Sequence, residues 1–204
     1  MAGAQKEIKL SSPDKRIVFT FRVTASAPSY KISYKGKTLI NYSTINFSFL
    51  EGGDFGSSLV ESKPVFKEGD ETYQLIVGKT KEVRNHYQEV LIPLEEKGPF
   101  QRKINLVARA YDDGIAFRYE FPQQTKLTSY TLTDESTHFN LAGNPTVRTL
   151  FLPNYTTSHE GEYSVLPLSD IKSDTLMDMP TLFEFTDGNY MAITDAALNR
   201  DIGV

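Results

Sequence analysis

The chain has 204 residues, a formal net charge of -4 and a hydrophobic fraction of 39%, with 13 phenylalanines, 11 tyrosines and no cysteine. This length accommodates one large β-domain or two small ones, and the apolar content excludes an intrinsically disordered chain. The composition also excludes disulfides and thiolate chemistry, a basic stripe for nucleic acid, and a membrane span, which needs about 18 consecutive apolar residues.

Alternation of apolar and polar residues dominates the start of the chain and predicts β-strands. The pattern is clear in Ile17–Val23 and again in residues 30–34, where every second side chain is apolar. Gly36 then predicts a turn, and residues 38–40 predict the returning strand. An antiparallel arrangement follows from these short connections.

Further strands are predicted at residues 73–77 and 87–94. Pro93 indicates a strand end or an edge strand, because proline cannot donate a hydrogen bond to a ladder. Loops are predicted at residues 98–102 and 139–147, and a flexible, glycine-containing loop at residues 51–58.

Two Asp-Gly pairs predict hairpins. Asp112-Asp113-Gly114 separates the apolar runs 105–111 and 115–121, and Asp187-Gly188 separates 181–185 from 190–193. Glycine at such a place supplies the positive φ of a tight turn. The polar segment 151–180 is expected to cross the sandwich surface, and no helical stripe exceeds two turns. The strand spacing predicts an all-β fold, a large antiparallel β-sandwich with few short helices.

Candidates for catalytic chemistry are few. The histidines His86, His138 and His159 lack the spacing of a zinc site, and we interpret them as surface or loop residues. No nucleophile elbow, dinucleotide-binding motif or phosphate-binding loop occurs. Nothing in these motifs predicts a self-contained active site.

Three acidic positions allow two interpretations each. Glu160 and Glu162 are spaced to share one strand face, as a glycosidase acid pair would, or they belong to a polar loop. The Asp112-Asp113 pair is better explained as a turn former. Asp195, at a strand end beside small residues, is either a cap for a following turn or a metal or ligand contact.

Exposed aromatic rings could form a platform on which sugars stack. The candidates are Tyr42, Tyr111, Tyr155 and Tyr163. The alternative is that these rings are half-buried parts of the sandwich, as most tyrosines in such folds are.

An ordered series of segments resembles the N-terminal domain of glycoside hydrolase family 97, a bacterial α-glucosidase and α-galactosidase family. The most specific segment reads Tyr-Asp-Asp-Gly-Ile-Ala-Phe-Arg-Tyr at residues 111–119, and the resemblance extends over nearly the whole chain. The segments are 11–19, 34–40, 83–89, 109–122, 155–163 and 187–198.

The resemblance implies a galactose-mutarotase-like β-super-sandwich over residues 1–204, with a catalytic (β/α)₈ barrel expected after residue 204. The parent protein would be a glycoside hydrolase whose catalytic carboxylates lie in that barrel. We therefore expect no catalytic residue in this chain, and no activity from it alone. Its role would be to pack on the barrel and help wall the sugar site. The alternatives are a free-standing carbohydrate-binding module and a structural or adhesive sandwich.

The resemblance also implies a metal ligand. In the family, a glutamate in an Ile-x-Glu-Ala-x-Leu segment ligates calcium together with barrel glutamates, and the matching residue here is Asp195. Aspartate is one methylene shorter, so the reach differs. We expect calcium in the parent enzyme and none in the isolated chain.

The expected partners are the barrel of the same polypeptide and, through it, an oligosaccharide substrate. An apolar face left uncovered could also produce a homodimer of the chain. No nucleic acid or membrane span is expected. The resemblance implies a periplasmic or extracellular location, although no signal peptide is visible in this chain.

Overall fold

The computed structural model describes residues 6–24, 27–56, 58–125 and 127–196. The chain divides into two compact units, Met1–Asn140 and Leu141–Val204. Among the described residues the fold is all-β, as predicted, and its one helix is a 3-10 turn at Leu168–Asp170. No helix in this described part is long and apolar enough to span a bilayer.

The strands pair almost wholly with antiparallel neighbours in three sheets. Their bounds are β1 Ile8–Ser11, β2 Ile17–Val23, β3 Pro28–Tyr34, β4 Lys37–Phe49, β5 Gly53–Phe55, β6 Leu59–Glu61, β7 Val65–Gln74, β8 Glu82–Glu96, β9 Lys103–Ala110, β10 Ile115–Glu120, β11 Leu132–Thr137, β12 Thr146–Thr149, β13 Ser164–Pro167, β14 Thr181–Glu184 and β15 Tyr190–Ile193.

The first sheet of unit 1 has the order β1-β2-β3-β4-β11, with β5 also paired to β4. The predicted strand Ile17–Val23 is confirmed, and it pairs with β3 through contacts such as Phe19 opposite Ile32. The strand predicted at residues 38–40 continues to Phe49, and its burial alternates regularly from Ser43 onward. That continuation makes β4 the strand that carries both β5 and β11.

The second sheet of unit 1 has the order β10-β9-β8-β6, with β7 also paired to β8. The strand predicted at residues 73–77 is wrong in its bounds, because β7 covers Val65–Gln74 and residues 75–77 lie in the following loop. Most side chains of β7 are exposed on both faces. A strand with no buried face has no apolar alternation for sequence analysis to find.

Pro93 lies inside β8, which has strands on both sides, so both predicted alternatives, a strand end and an edge strand, are wrong. Its neighbours on one side change at this point, from β6, which ends opposite Leu94, to β7, which begins opposite Leu91. The backbone N–H of Ser62 donates to Pro93 O at 3.0 Å. Because the N and O of one strand residue point to the same side, the missing N–H of Pro93 faces this junction, where a ladder hydrogen bond is least needed.

The two sheets of unit 1 face each other across an aromatic core. The ring centroids of Tyr30 and Phe117 lie 5.2 Å apart, and those of Phe47 and Tyr119 lie 4.6 Å apart. Burial raises the pKa of the Tyr119 phenol, which hydrogen-bonds the Thr137 hydroxyl at 2.7 Å. Each buried ring of this kind stabilises the fold by about 1.5–3 kcal/mol through removal from water.

A buried ion pair closes one end of this sandwich. Arg102 is only 1% exposed, and its guanidinium donates to both carboxylate oxygens of Glu96, at 2.8 and 2.6 Å. The guanidinium carbon also lies 4.5 Å from the ring centroid of Phe49 and 5.3 Å from that of Phe100. The charge is therefore matched by its counter-ion and enclosed by two aromatic rings.

The same arginine organises residues 52–54 of the segment predicted to be a flexible loop. Its guanidinium donates to the carbonyl oxygens of Gly53, Gly52 and Asp54 at 2.9, 3.2 and 3.1 Å. Gly52 and Gly53 have φ values of +89° and +61°, which place these carbonyls around one cation. Residues 53–55 form β5 instead of loop, because they pair with β4.

Unit 2 contains a sheet with the order β13-β12-β14-β15. The Asp187-Gly188 turn is confirmed, and Gly188 has the predicted positive φ, +80°. Part of the segment 151–180 forms β13, which pairs with β12. Buried side chains, among them Val147 and Phe183, occupy one face of this sheet.

The other Asp-Gly hairpin is confirmed in its strands but wrong in its turn geometry. Strands β9 and β10 pair as predicted, with Ile115 opposite Ala110. Gly114 does not have a positive φ. It follows the two turn residues and accepts a hydrogen bond from Tyr111 N at 2.8 Å, so no left-handed conformation is needed there.

Replacing Arg102 with alanine tests the buried ion pair. We expect Arg102→Ala to lower the free energy of unfolding by about 3–5 kcal/mol, because a buried carboxylate and three carbonyl groups lose their donor. Urea unfolding measures the change. Arg118→Ala is the control, since Arg118 pairs with Glu120 at the surface and such pairs contribute about 0–1 kcal/mol. A loss below about 1 kcal/mol in Arg102→Ala would contradict the role of the ion pair.

Asp14, in the turn after β1, provides a pH-dependent test. The Ser12 hydroxyl (2.6 Å), the Arg16 N–H (2.9 Å) and the Arg16 guanidinium lower its pKa from 3.8 to about 2. Since the folded-state pKa is lowered, the stabilisation by ionised Asp14 is complete above its ordinary pKa and is lost as pH falls toward 2. NMR titration should give a pKa near 2 for Asp14, rising toward 3.8 in Ser12→Ala. Ser129→Ala should leave it unchanged, and an unshifted Asp14 in the wild type would refute the assignment.

Candidate functional site

Asp195 lies two residues beyond the end of β15, the edge strand of the unit 2 sheet. Its side chain is exposed, and the Thr194 hydroxyl is 3.3 Å from Asp195 O. The described residues end at Ala196, so a turn following Asp195 lies outside them. Both interpretations of Asp195, as cap and as ligand, therefore stay predictions.

A polar network surrounds the strand end from which Asp195 leaves the sheet. Thr181 pairs with Ile193, and the Thr181 hydroxyl donates to Asp178 O at 2.6 Å. The carboxylate of Asp178 is in turn 2.9 Å from Nδ1 of His159. Every member of this chain of contacts has a partner within unit 2, so the network holds the segment before β14 in place.

The residues that the structure describes do not by themselves fit a calcium site. Calcium takes six to eight oxygen ligands at about 2.3–2.6 Å. Within the residues that the structure describes, no group of three or more His, Asp and Glu side chains is placed to hold a metal. Asp195 offers one exposed carboxylate, so any calcium bound there would need ligands from outside the described residues.

The open face of the unit 2 sheet carries a second polar cluster, which sequence analysis missed. Arg148 donates to Glu184 at 2.8 Å, and the Tyr190 hydroxyl donates to the other oxygen of the same carboxylate at 3.0 Å. The Arg148 hydrogen bond, followed by that of Tyr190, lowers the pKa of Glu184. Exposed Val165 lies beside Arg148 across the sheet.

The predicted acidic candidates do not form an acid pair. Glu160 and Glu162 lie in an exposed stretch outside any strand, so the polar-loop interpretation is confirmed. Asp112 lies in the β9–β10 turn and accepts a hydrogen bond from Asp14 N at 2.8 Å. The turn interpretation is thus confirmed, with an added contact between two loops of unit 1.

The three histidines contact different residues. His86 is half-buried in β8, 3.7 Å from Glu68, and not in a loop. His138 is exposed after β11 and hydrogen-bonds the Thr44 hydroxyl at 2.7 Å. His159 belongs to unit 2. The interpretation as surface or loop residues is therefore confirmed for His138 and His159 and wrong for His86, which lies half-buried in a strand.

The four candidate tyrosines differ in accessibility. The Arg22 guanidinium covers the Tyr42 ring at 3.3 Å from the centroid, and Tyr111 packs on Tyr87 at a centroid distance of 5.6 Å. Tyr155 and Tyr163 are 75% and 62% exposed. A stacking role is therefore open to the latter two only, and both lie in the segment between β12 and β13.

Comparison with known proteins adds a family match. Residues 10–203 match the family described as Glycosyl-hydrolase 97 N-terminal. A retaining alpha-galactosidase from Bacteroides thetaiotaomicron is 26% identical over 211 residues, covering 98% of this chain and 30% of that protein. A probable retaining alpha-galactosidase from Streptomyces bingchenggensis is 27% identical over 189 residues, 93% of this chain and 28% of that protein.

Solved structures agree with this match. A Glycoside Hydrolase Family 97 enzyme from Pseudoalteromonas sp. strain K8, in complex with acarbose, superimposes with a TM-score of 0.85 at 30% identity, covering 94% of this chain and 28% of its own. A beta-arabinopyranosidase has a TM-score of 0.80 at 24% identity, which shows a shared fold. The chain thus spans less than a third of the length of these relatives.

Calcium titration tests the incomplete metal site. We expect millimolar calcium to shift the unfolding temperature of the 204-residue chain by less than about 1 °C, because one exposed carboxylate binds calcium too weakly to stabilise the fold. Differential scanning calorimetry makes the measurement, with Asp195→Asn as the matched control. A calcium-dependent rise that disappears in Asp195→Asn would show a site formed within this chain.

Proposed function

The chain belongs to the family of N-terminal domains of glycoside hydrolase family 97, and on that basis we propose that it is the non-catalytic N-terminal domain of a larger α-glycosidase. In that role it packs on the catalytic domain and helps wall the sugar site. The observation that carries the proposal is the difference in coverage: 98% of this chain matches only 30% of an alpha-galactosidase. The catalytic groups then belong to the unmatched part.

The state of the carboxylates supports a non-catalytic role. Glycosidases need two carboxyl groups facing one sugar, with one of them able to give up a proton. Here the less exposed glutamates are engaged with arginines: Glu89 with Arg109 at 2.7 Å, and Glu96 with Arg102 at 2.6 Å. Carboxylates whose oxygens are held by arginines in this way are not placed to face a sugar.

We further propose that Asp195 contributes one ligand to a calcium ion whose other ligands come from the catalytic domain. Its exposure at the end of β15 supports this, because the carboxylate is open to a partner. The substrate would be an α-galactoside, as the names of the relatives support, or an α-glucoside, as the family resemblance implies. The periplasmic or extracellular location stays a prediction.

A carbohydrate-binding module is the second candidate. The exposed rings of Tyr155 and Tyr163 favour it, since aromatic faces and hydroxyls suit sugar recognition. Calorimetry with millimolar galactose, maltose and panose separates the two functions. Binding that disappears in Tyr163→Ala, with the unfolding temperature unchanged, would favour the module, and no heat of binding agrees with a supporting domain.

The main test is activity. The 204-residue chain should not hydrolyse nitrophenyl α-glucoside or α-galactoside, whereas the full polypeptide encoded by its gene should hydrolyse at least one. In that full polypeptide, Asp195→Asn should weaken calcium affinity or activity by about 10–100-fold, the loss found when metal-site residues are changed. Turnover by the 204-residue chain alone, or a reading frame that ends at Val204, would overturn the proposal.

A further inference from the structure

Strands β7 and β8 extend past the second sheet as a two-stranded ribbon. The pairing of β8 with β9 begins at Gln88, whereas its pairing with β7 continues to Glu82. Residues 82–87 therefore have β7 as their only strand neighbour, over a length of about 20 Å. We call residues 69–87 the β7–β8 ribbon, and its loop, residues 75–81, the tip.

The tip exposes apolar side chains to an unusual degree. Ile76 is 99% exposed and Val77 82%, and Leu75 and Tyr73 are also exposed. Leu75, Ile76 and Val77 are consecutive, and Tyr73 lies two residues before them opposite Val83, so exposed apolar residues are concentrated at this end of the ribbon. Single exposed apolar residues are common on proteins, but a contiguous patch marks an interaction surface.

Hydrogen bonds and side-chain packing hold the ribbon in a defined conformation. Arg84 makes two hydrogen bonds to Asp70, at 2.8 and 2.6 Å, and Leu75 N donates to Lys81 O at 2.9 Å to close the tip. A Cβ on Gly69 would lie 2.5 Å from the Tyr87 ring, so that ring packs directly on the strand. A rigid patch loses little conformational entropy on docking.

The size of the patch indicates a tethered partner. The patch consists of four exposed side chains, whereas a stable complex of separate chains buries about 800 Å², or roughly 20–30 residues, on each partner. A domain linked in the same polypeptide needs less area, because the linker supplies a high effective concentration. A second copy of this chain would not be held by the tip alone.

The charges of the tip indicate the chemistry of its partner. Lys79 and Lys81 flank the apolar patch, and neither forms an ion pair with a residue that the structure describes. Arg84, by contrast, is paired with Asp70. A complementary surface would present an apolar depression with carboxylates at its rim.

We propose that the tip of the β7–β8 ribbon docks into such a depression on the catalytic domain of the same polypeptide. This inference rests on the proposed function, and it names the surface through which the domain is held. Ile76 and Val77 are the anchors, and the lysines set the orientation.

Hydrogen exchange of the tip tests the inference. In the full polypeptide encoded by the gene, the amides of residues 75–81 should exchange at least about tenfold more slowly than in the 204-residue chain. Ile76→Glu should remove this protection, because it places a charge in the apolar depression. Gln123→Glu adds the same charge at an exposed position of unit 1 outside the ribbon and should keep the protection.

Thermal unfolding and the molecular mass in solution distinguish a failure of the docking inference from a failure of the proposed function. In the 204-residue chain both variants should unfold within about 2 °C of the wild type, since neither side chain is buried. An active full polypeptide with unprotected tip amides would overturn the docking while leaving the proposed function intact. A dimer of the 204-residue chain that Ile76→Glu dissociates would overturn it in favour of a second copy.

Discussion

The ion pair of Arg102 and Glu96 is the constraint on which the architecture of unit 1 depends. The Arg102 guanidinium connects the end of β8 to the carbonyls of residues 52–54, and so joins the two facing sheets where the sandwich is otherwise open. The buried charge of Arg102 is tolerable only because each nitrogen of its guanidinium has an acceptor and two aromatic rings exclude water. The aromatic core between the sheets provides the stabilisation that offsets this desolvation, and together they make a rigid body.

That rigidity suits a domain that contributes surfaces and not chemistry. Its less exposed carboxylates are committed to arginines, as in the Glu89–Arg109 pair. What it presents outward is a set of exposed features on ordered strands: the apolar tip around Ile76, the Arg148–Glu184–Tyr190 cluster, and Asp195 at a strand end. Each lies on a paired strand or within a few residues of one. This arrangement is consistent with a domain whose relatives are more than three times its length.

Sequence patterns succeeded where one face of a strand is buried. The alternation in Ile17–Val23 predicted a strand correctly, because a buried face requires apolar residues at every second position. The Asp-Gly pair at Gly188 predicted a turn correctly, because a positive φ favours glycine. Strand β7 was missed for the opposite reason, since its side chains are exposed on both faces. The prediction for Pro93 was wrong because a proline fits inside β8 at the point where the neighbouring strand changes from β6 to β7. Local sequence does not encode that change.

By itself the sequence determined the all-β class, most strand positions and, through the resemblance, the family, because these follow from periodicity and from local motifs. Only the tertiary structure decided which groups meet. It brought Arg102 to the carbonyls of Gly52 and Gly53, about fifty residues away, and it left Ile76 without cover. It also left Asp195 apart from any metal-binding cluster among the described residues. Such facts depend on long-range pairing and on which surfaces are covered, and neither is recorded in the local order of residues.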